Sequence, residues 1–76
     1  MNVTERIREL REDSDKNQTE IANLLHVGQR TYSDYEKGKI RIPLDSVIIL
    51  AEYYNVDMNY ICGITGERKP FPGKCM

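Results

Sequence analysis

Residues 17–38 of the chain read NQTEIANLLHVGQRTYSDYEKG, and this stretch contains two short helical patterns joined by a tight connection. Asn17 and Glu20 have the spacing of a capping box, in which each side chain binds the backbone N–H of the other at the start of a helix. Gly28 suits the N-cap of the next helix, and Gly38 suits the position just past its end, where glycine adopts positive φ without strain. The stretch therefore predicts two helices that meet at a large angle, because so short a connection turns the chain sharply.

Helical periodicity continues on both sides of this stretch, and no sustained alternation of period two predicts a strand. A first helix is indicated by Val3, Ile7 and Leu10, which share one face, with Asn2 and Glu5 at capping-box spacing. A fourth helix is predicted with Pro43 in its first turn and apolar residues at 47, 50, 51 and 54. A short fifth helix would be capped by Asp57 and would run through Cys62 to Gly63. The sequence thus predicts a compact all-α fold of five helices, spanning residues 1–64, followed by a short extended tail over 65–76.

Length and composition exclude several classes of protein. With 76 residues, of which 30% are charged and 39% hydrophobic, the chain has the size and composition of one small globular domain. The longest apolar run, residues 47–51, is far shorter than the roughly 20 residues of a membrane-spanning helix, and the charged N-terminus does not resemble a signal peptide. One histidine and two cysteines, Cys62 and Cys75, fit no metal motif. We expect a cytoplasmic protein without membrane association, metal or cofactor, with Cys62 as a buried apolar residue and Cys75 as a tail thiol.

The charge is segregated along the chain although the net charge is only −1. Residues 28–43 carry four basic and two acidic side chains, a net charge of +2, whereas residues 44–64 carry three acidic and no basic side chains. A local positive field matters more than the average for binding a polyanion. The basic block is consistent with a nucleic-acid contact, and the alternative is an ordinary solvated loop.

The two-helix stretch, with its Tyr-Glu-Lys-Gly ending at residues 35–38, resembles the helix-turn-helix of the Cro/C1-type repressors, the xenobiotic-response-element family. The similarity continues through LAEYYNV at residues 50–56 to Gly63. It implies a lambda-repressor-like DNA-binding domain whose third helix, about residues 28–36, enters the major groove of double-stranded DNA. The chain departs from the family pattern at His26, Gly28 and Tyr32, which replace a turn glycine, an N-cap serine and an aliphatic residue.

The resemblance also implies roles for individual residues. The side chains expected to face base edges are Gln29, Arg30, Ser33 and Asp34. Those expected to contact phosphates are Gln18, Thr31, Lys37, Lys39 and Arg41. The chemistry fits, because glutamine can pair with adenine, arginine with guanine, and a carboxylate with the cytosine amine. Arg11 and Glu36 match a pair that orients the recognition helix in this family.

The function implied is that of a sequence-specific transcriptional regulator, a repressor in the first instance, acting as a homodimer on an inverted repeat. The family's dimers commonly form through helix 5 and its surroundings, which here are Met58, Asn59, Tyr60 and the tail. One alternative is the antitoxin of a toxin–antitoxin pair. Another is a protein-interaction module that keeps the fold without specific DNA binding. The acidic residues 44–64, Asp34, and Ile49 opposite the buried stripe of helix 4 motivate this possibility of a protein partner. No nucleophile turn or oxyanion site accompanies Ser33 and His26, so an enzyme is not expected.

Overall fold

The structure is a computed structural model that describes residues 2–72, and within that range it contains five α-helices and no strand. The helices are α1 (Val3–Asp13), α2 (Gln18–Leu24), α3 (Gln29–Lys37), α4 (Leu44–Tyr54) and α5 (Met58–Ile61). The predicted all-α, five-helix fold is therefore confirmed. No helix among these residues has the length and apolar character needed to cross a membrane. The expectation for Cys75 lies outside the described residues.

Both predicted capping boxes form. Asn2 Oδ1 accepts from the Glu5 backbone N–H at 3.0 Å, and Glu5 Oε1 accepts from the Asn2 backbone N–H at 3.2 Å. At α2 the corresponding distances between Asn17 and Glu20 are 2.8 and 3.0 Å. Each box satisfies two backbone N–H groups that a helix start leaves without an intrahelical partner, so these short helices begin where the sequence predicts.

The ends of the later helices follow their predicted signals with small shifts. Gly38 ends α3 in the left-handed region at φ +75°, as expected. Pro43 lies one position outside α4 and not in its first turn, because its ψ of 150° is extended and the helix begins at Leu44. Asp57 caps α5 by accepting from the Tyr60 backbone N–H at 2.8 Å. Cys62 is the C-cap residue of that helix and not its last turn.

The connection between α2 and α3 is sharp because one residue takes a left-handed conformation. His26 has φ +59°, as expected for the position where related sequences have glycine. The Val27 backbone N–H reaches back to the Ala22 carbonyl at 3.0 Å, which closes the end of α2. Gly28 then starts α3 with extended backbone angles and no side-chain cap. The two helices of the motif are therefore joined by only four residues, 25–28.

One hydrophobic core lies between the five helices. Its buried members are Ile7, Leu10, Ile21, Ala22, Leu25, Tyr32, Tyr35, Val47, Leu50, Ala51, Val56, Tyr60 and Ile61. Tyr32 and Tyr35 of α3 are buried with their rings edge to face, 6.3 Å apart between centroids. Tyr53 is exposed, and its ring packs edge to face with the ring of Tyr54. Tyr53 is one residue before Tyr54, so helix geometry turns it away from the buried stripe.

The described part of the tail, residues 65–72, contains no helix or strand and is held against the domain. The Asp57 backbone N–H donates to the Lys69 carbonyl at 2.8 Å, and the Phe71 backbone N–H donates to Asn55 Oδ1 at 3.2 Å. The Phe71 side chain packs partly against the core. Residues 69–71 therefore lie along the turn between α4 and α5.

Candidate nucleic-acid interface

One face of α3 forms an open, polar groove on the protein surface. It is lined by Gln29, Arg30, Ser33, Asp34, Lys37 and Lys39. The four side chains predicted to read bases thus lie together, with two of the cations predicted to bind phosphate beside them. The burial of Tyr32 and Tyr35 on the opposite side of α3 leaves this face outward.

The remaining predicted phosphate contacts lie around this groove. Thr31 is half-buried and does not line it. Arg41 is exposed on the loop between α3 and α4, on the far side of Lys39. Gln18 lines a second polar crevice with Arg11, Glu36, Lys37 and Arg8. Arg8 was missed by the sequence reasoning, although it lies on the same face of α1 as Arg11, three residues away.

Arg11 and Glu36 form a bidentate ion pair that joins α1 to the end of α3. Arg11 Nε lies 2.7 Å from Glu36 Oε2, and Arg11 Nη2 lies 3.1 Å from Glu36 Oε1. The third donor, Arg11 Nη1, binds the Lys16 carbonyl at 3.0 Å. The two side chains are only 13% and 4% exposed, so this is a buried pair. All three guanidinium nitrogen atoms and both carboxylate oxygen atoms form hydrogen bonds.

A chain of hydrogen bonds continues from this ion pair to the start of α3. Gln18 Nε2 donates to Glu36 Oε1 at 3.1 Å, and Gln29 Nε2 donates to Gln18 Oε1 at 2.7 Å. The Gln18 amide is therefore fixed at both ends by protein groups, with one N–H left over for an anion. Gln29 keeps one N–H and its carbonyl oxygen free, and their arrangement is set by Gln18.

The electrostatics of this cluster favour the ionised carboxylate. Burial raises the pKa of Glu36, but the hydrogen bonds from Arg11 and its neighbours outweigh burial, so the net pKa lies below the usual value. The hydrogen bond to Glu36 likewise raises the pKa of Arg11. Burial, followed by the nearby Glu36 carboxylate, raises the pKa of Tyr32, whose hydroxyl faces that carboxylate without reaching hydrogen-bond geometry.

The charged groups of the α3 groove are unneutralised. Within residues 2–72, Arg30, Lys37, Lys39 and Arg41 form no ion pair with an acidic side chain. Asp34 is four residues from Arg30, but its carboxylate pairs with no cation in the same range. The surface therefore presents four free cations beside one free acceptor, the pattern that a polyanion with base edges between its phosphates would match.

The surface expected for dimer contacts is largely covered by the chain itself. Tyr60 is buried, with the Arg6 guanidinium 3.8 Å from its ring centroid and that of Arg68 5.9 Å away. Met58 is half-buried, and only Asn59 is exposed. Tyr60 is 8% exposed, so little of its surface is open to a partner.

The family model described as helix-turn-helix matches residues 7–61, which covers all five helices except the first turn of α1. The chain therefore belongs to the Cro/C1-type helix-turn-helix family, as its residues indicated. This membership confirms that the matched residues form a helix-turn-helix domain of the DNA-binding regulator class, as expected, and not an enzyme domain.

Curated relatives are named as transcriptional regulators. The cryptic phage CTXphi transcriptional repressor RstR of Vibrio cholerae is 47% identical over 51 residues, covering 67% of this chain and 46% of that protein. The uncharacterized HTH-type transcriptional regulator YobD of Bacillus subtilis is 32% identical over 66 residues, covering 87% of this chain and 59% of its own. The HTH-type transcriptional regulator ImmR of the same organism is 30% identical over 63 residues, covering 83% and 50%. The chain thus spans about half the length of the curated relatives it matches. No solved structure gives a significant match.

Proposed function

We propose that this chain is a sequence-specific repressor domain that inserts α3 into the major groove of double-stranded DNA, as a dimer on an inverted repeat. The observation that carries the proposal is the fixed amide of Gln29 at the entrance to the unneutralised α3 groove. A relative named as a repressor supports the repressor assignment.

The orientation of Gln29 favours one base. Because Nε2 donates one proton to Gln18, the free groups are one N–H donor and the Oε1 acceptor. Adenine offers an N7 acceptor beside an N6 donor, which matches this pair, whereas guanine offers two acceptors, N7 and O6. We therefore assign adenine to Gln29. Arg30, exposed beside it, carries two donors that suit guanine.

The remaining side chains of the groove are assigned by their chemistry and position. Asp34 would accept from a cytosine amine, and Ser33 would contact a base edge next to it. Lys37, Lys39 and Arg41 would bind phosphates along the backbone, and so would Thr31 through its hydroxyl. The crevice between α1 and α2 would take a further phosphate from the free N–H of Gln18, with Arg8 as an added cation.

The size of the molecule suits a dimer on adjacent half-sites. Half-sites one helical turn apart are separated by about 34 Å. The protomer measures 33 × 25 × 22 Å, so two protomers placed end to end along the longest axis have their centres at a comparable separation.

The proposal is tested by selecting duplexes from a randomised DNA pool at about 0.15 M salt, near physiological ionic strength. Enrichment of a two-fold-symmetric site containing adenine and guanine at neighbouring positions is the expected result. Arg30→Ala should cost about 1–3 kcal/mol and relax the preference at one base pair. A folded protein that enriches no sequence would contradict the proposal and favour a protein-binding module instead.

A charge-matched pair of variants tests the predicted phosphate contact of Lys39. Lys39→Ala should weaken binding to all sequences alike and lower the slope of log K against log salt by about 0.9. Lys69→Ala removes the same charge from the tail, where Lys69 pairs with exposed Glu67 at 3.8 Å, and should leave that slope unchanged. Equal slopes for wild type and Lys39→Ala would remove Lys39 from the interface.

A further inference from the structure

The amide of Gln29 presents one fixed arrangement of donor and acceptor at the α3 groove. A carboxylate only accepts hydrogen bonds, so Gln18 turns its NH2 group toward Glu36, at 3.1 Å. The Gln18 oxygen then faces Gln29, whose NH2 group donates to it at 2.7 Å. Flipping either amide would set two acceptors against each other. The order of these bonds therefore leaves Gln29 with its Oε1 acceptor and one N–H for a base.

The buried ion pair keeps Glu36 in the ionised state that this order requires. Its carboxylate is held by Arg11 Nε at 2.7 Å and by Arg11 Nη2 at 3.1 Å, and the Glu36 side chain is 4% exposed. Burial raises the pKa of Glu36, but the hydrogen bonds from Arg11 and its neighbours outweigh burial and lower it. At neutral pH the carboxylate has no proton to donate, so the two amides keep their orientation.

The contact assigned to Gln29 needs the hydrogen atom on adenine N6 that faces the major groove. Adenine presents N7 as an acceptor and the N6 amine as a donor, so Gln29 Oε1 has to accept from N6. In N6-methyladenine paired with thymine, the remaining N6 hydrogen is used in the base pair, and the methyl group faces the groove. The Gln29 oxygen then meets a methyl group in place of a donor, and an acceptor left without a partner is costly.

The α3 groove has no apolar surface that would compensate for this methyl group. Within residues 2–72, the side chains that line it are all polar or charged: Gln29, Arg30, Ser33, Asp34, Lys37 and Lys39. The aromatic residues of α3, Tyr32 and Tyr35, are buried on the opposite side of the helix. A methyl group gains free energy only where apolar surface covers it. A methylated adenine therefore loses a hydrogen bond here without gaining a contact.

We infer that this domain discriminates against N6-methyladenine, so that methylation of the adenine facing Gln29 releases it from its DNA site. The inference rests on the proposed function and on the adenine assigned to Gln29. It adds the chemical state of one base to the sequence that is recognised. In a two-fold site this adenine occurs once in each half, so a duplex methylated in one half-site is an intermediate state.

Binding to synthetic duplexes of the selected site tests the inference. The adenine facing Gln29 is the position whose base preference Gln29→Ala relaxes in the selection. Fluorescence anisotropy then compares the unmethylated duplex with duplexes that carry N6-methyladenine in one half-site or in both. We expect Kd to rise about 10-fold for one and about 100-fold for both, since the costs of separate wrong base pairs add. N6-methyladenine in the flanking DNA, outside the site, is the control and should change Kd less than about 2-fold.

Two neighbouring variants assign the effect to one side chain. Gln29→Ala removes the acceptor, so its Kd values for methylated and unmethylated duplexes should agree within about 2-fold. Arg30→Ala is the matched control: it should weaken binding to both duplexes alike and keep their ratio, because Arg30 is assigned to another base pair. Gln29 and Arg30 are both exposed in the first turn of α3, and circular dichroism establishes that the variants are folded. The comparison of duplexes with wild type does not depend on either variant.

The inference is wrong if wild type binds methylated and unmethylated duplexes equally, or if the flanking methyl group weakens binding as much. It is also wrong if Gln29→Ala keeps the full discrimination, or if the selected half-site has no adenine facing Gln29. In each of these cases a site has been selected, so the proposed repressor function stands. A folded protein that selects no site at all would refute the proposed function and this inference together.

Discussion

The ion pair between Arg11 and Glu36 provides the sharpest test of how the recognition helix is held. Arg11→Met keeps the length and the apolar stem of the side chain but leaves the Glu36 carboxylate, which is 4% exposed, without its cation. Removing one partner of a buried pair costs about 3–5 kcal/mol. Because the arginine is itself 13% exposed, we expect a loss near the lower end of this range.

That loss is large against the stability of a domain this small. At about 0.05–0.15 kcal/mol per residue, a chain of this length has a free energy of unfolding of about 4–11 kcal/mol. A loss of about 3 kcal/mol should lower Tm by about 12–24 °C. Thermal and urea unfolding followed by circular dichroism measure both quantities.

A neighbouring pair on the same helix supplies the control. Arg8 and Glu12 are also paired, at 3.3 Å, but both side chains are more than half exposed. Arg8→Met should therefore cost under about 0.5 kcal/mol. If Arg11→Met were as mild as Arg8→Met, the pair would contribute no more than a surface contact, and the reasoning from burial would be refuted.

Four further predictions follow from single features of the structure. The pKa of Glu36 is lower in the folded state, so its ion pair stabilises the fold above about pH 4.5, and this contribution is lost as pH falls through the folded pKa. The loss of unfolding free energy caused by Arg11→Met, measured by urea unfolding, should therefore become smaller under acid conditions. Gly28→Ser should raise the free energy of unfolding by a few tenths of a kcal/mol, because its backbone angles suit a capping serine and an added Cβ has no heavy atom within 4 Å. Phe71→Ala should lower it by about 1–2 kcal/mol, since the side chain is half-buried against the core; an unchanged Tm would show that the docked tail contributes nothing. Gln18→Ala should weaken the preference for adenine as well as overall binding, because it frees Gln29 to rotate. Selection from a randomised pool measures this preference, and an unchanged preference for adenine would contradict the prediction.

Most of the fold could be predicted from local signals in the sequence. The capping boxes at Asn2 and Asn17, and the glycine stop at residue 38, depend on chemistry within a few residues, and each is where the pattern predicted. Pro43 was misplaced by one position because a proline suits both the residue before a helix and its first turn. The docked tail escaped prediction because the contact between Asp57 and Lys69 joins segments that have no shared periodicity.

The candidate site was predictable in its residue types but not in its internal bonds. A motif match and helix geometry place Gln29, Arg30 and Asp34 on one exposed face, and the structure brings them together there. From the sequence alone, Gln18 was predicted to contact a phosphate and Gln29 a base edge, independently of each other. Their hydrogen bond depends on the angle between α2 and α3, which no spacing along the chain specifies. Their contacts to DNA stay a prediction.

The bond between Gln18 and Gln29 has an evolutionary consequence. Replacing Gln29 alone, to recognise a different base, would remove the hydrogen bond that the Gln18 carbonyl oxygen accepts. Replacing Gln18 alone would leave the Gln29 side chain free to rotate. A lineage that shifts to a new operator therefore has to pass through a weakened intermediate or change both positions together. We expect substitutions at 18 and 29 to covary among relatives, while position 36, which binds two partners at once, changes least.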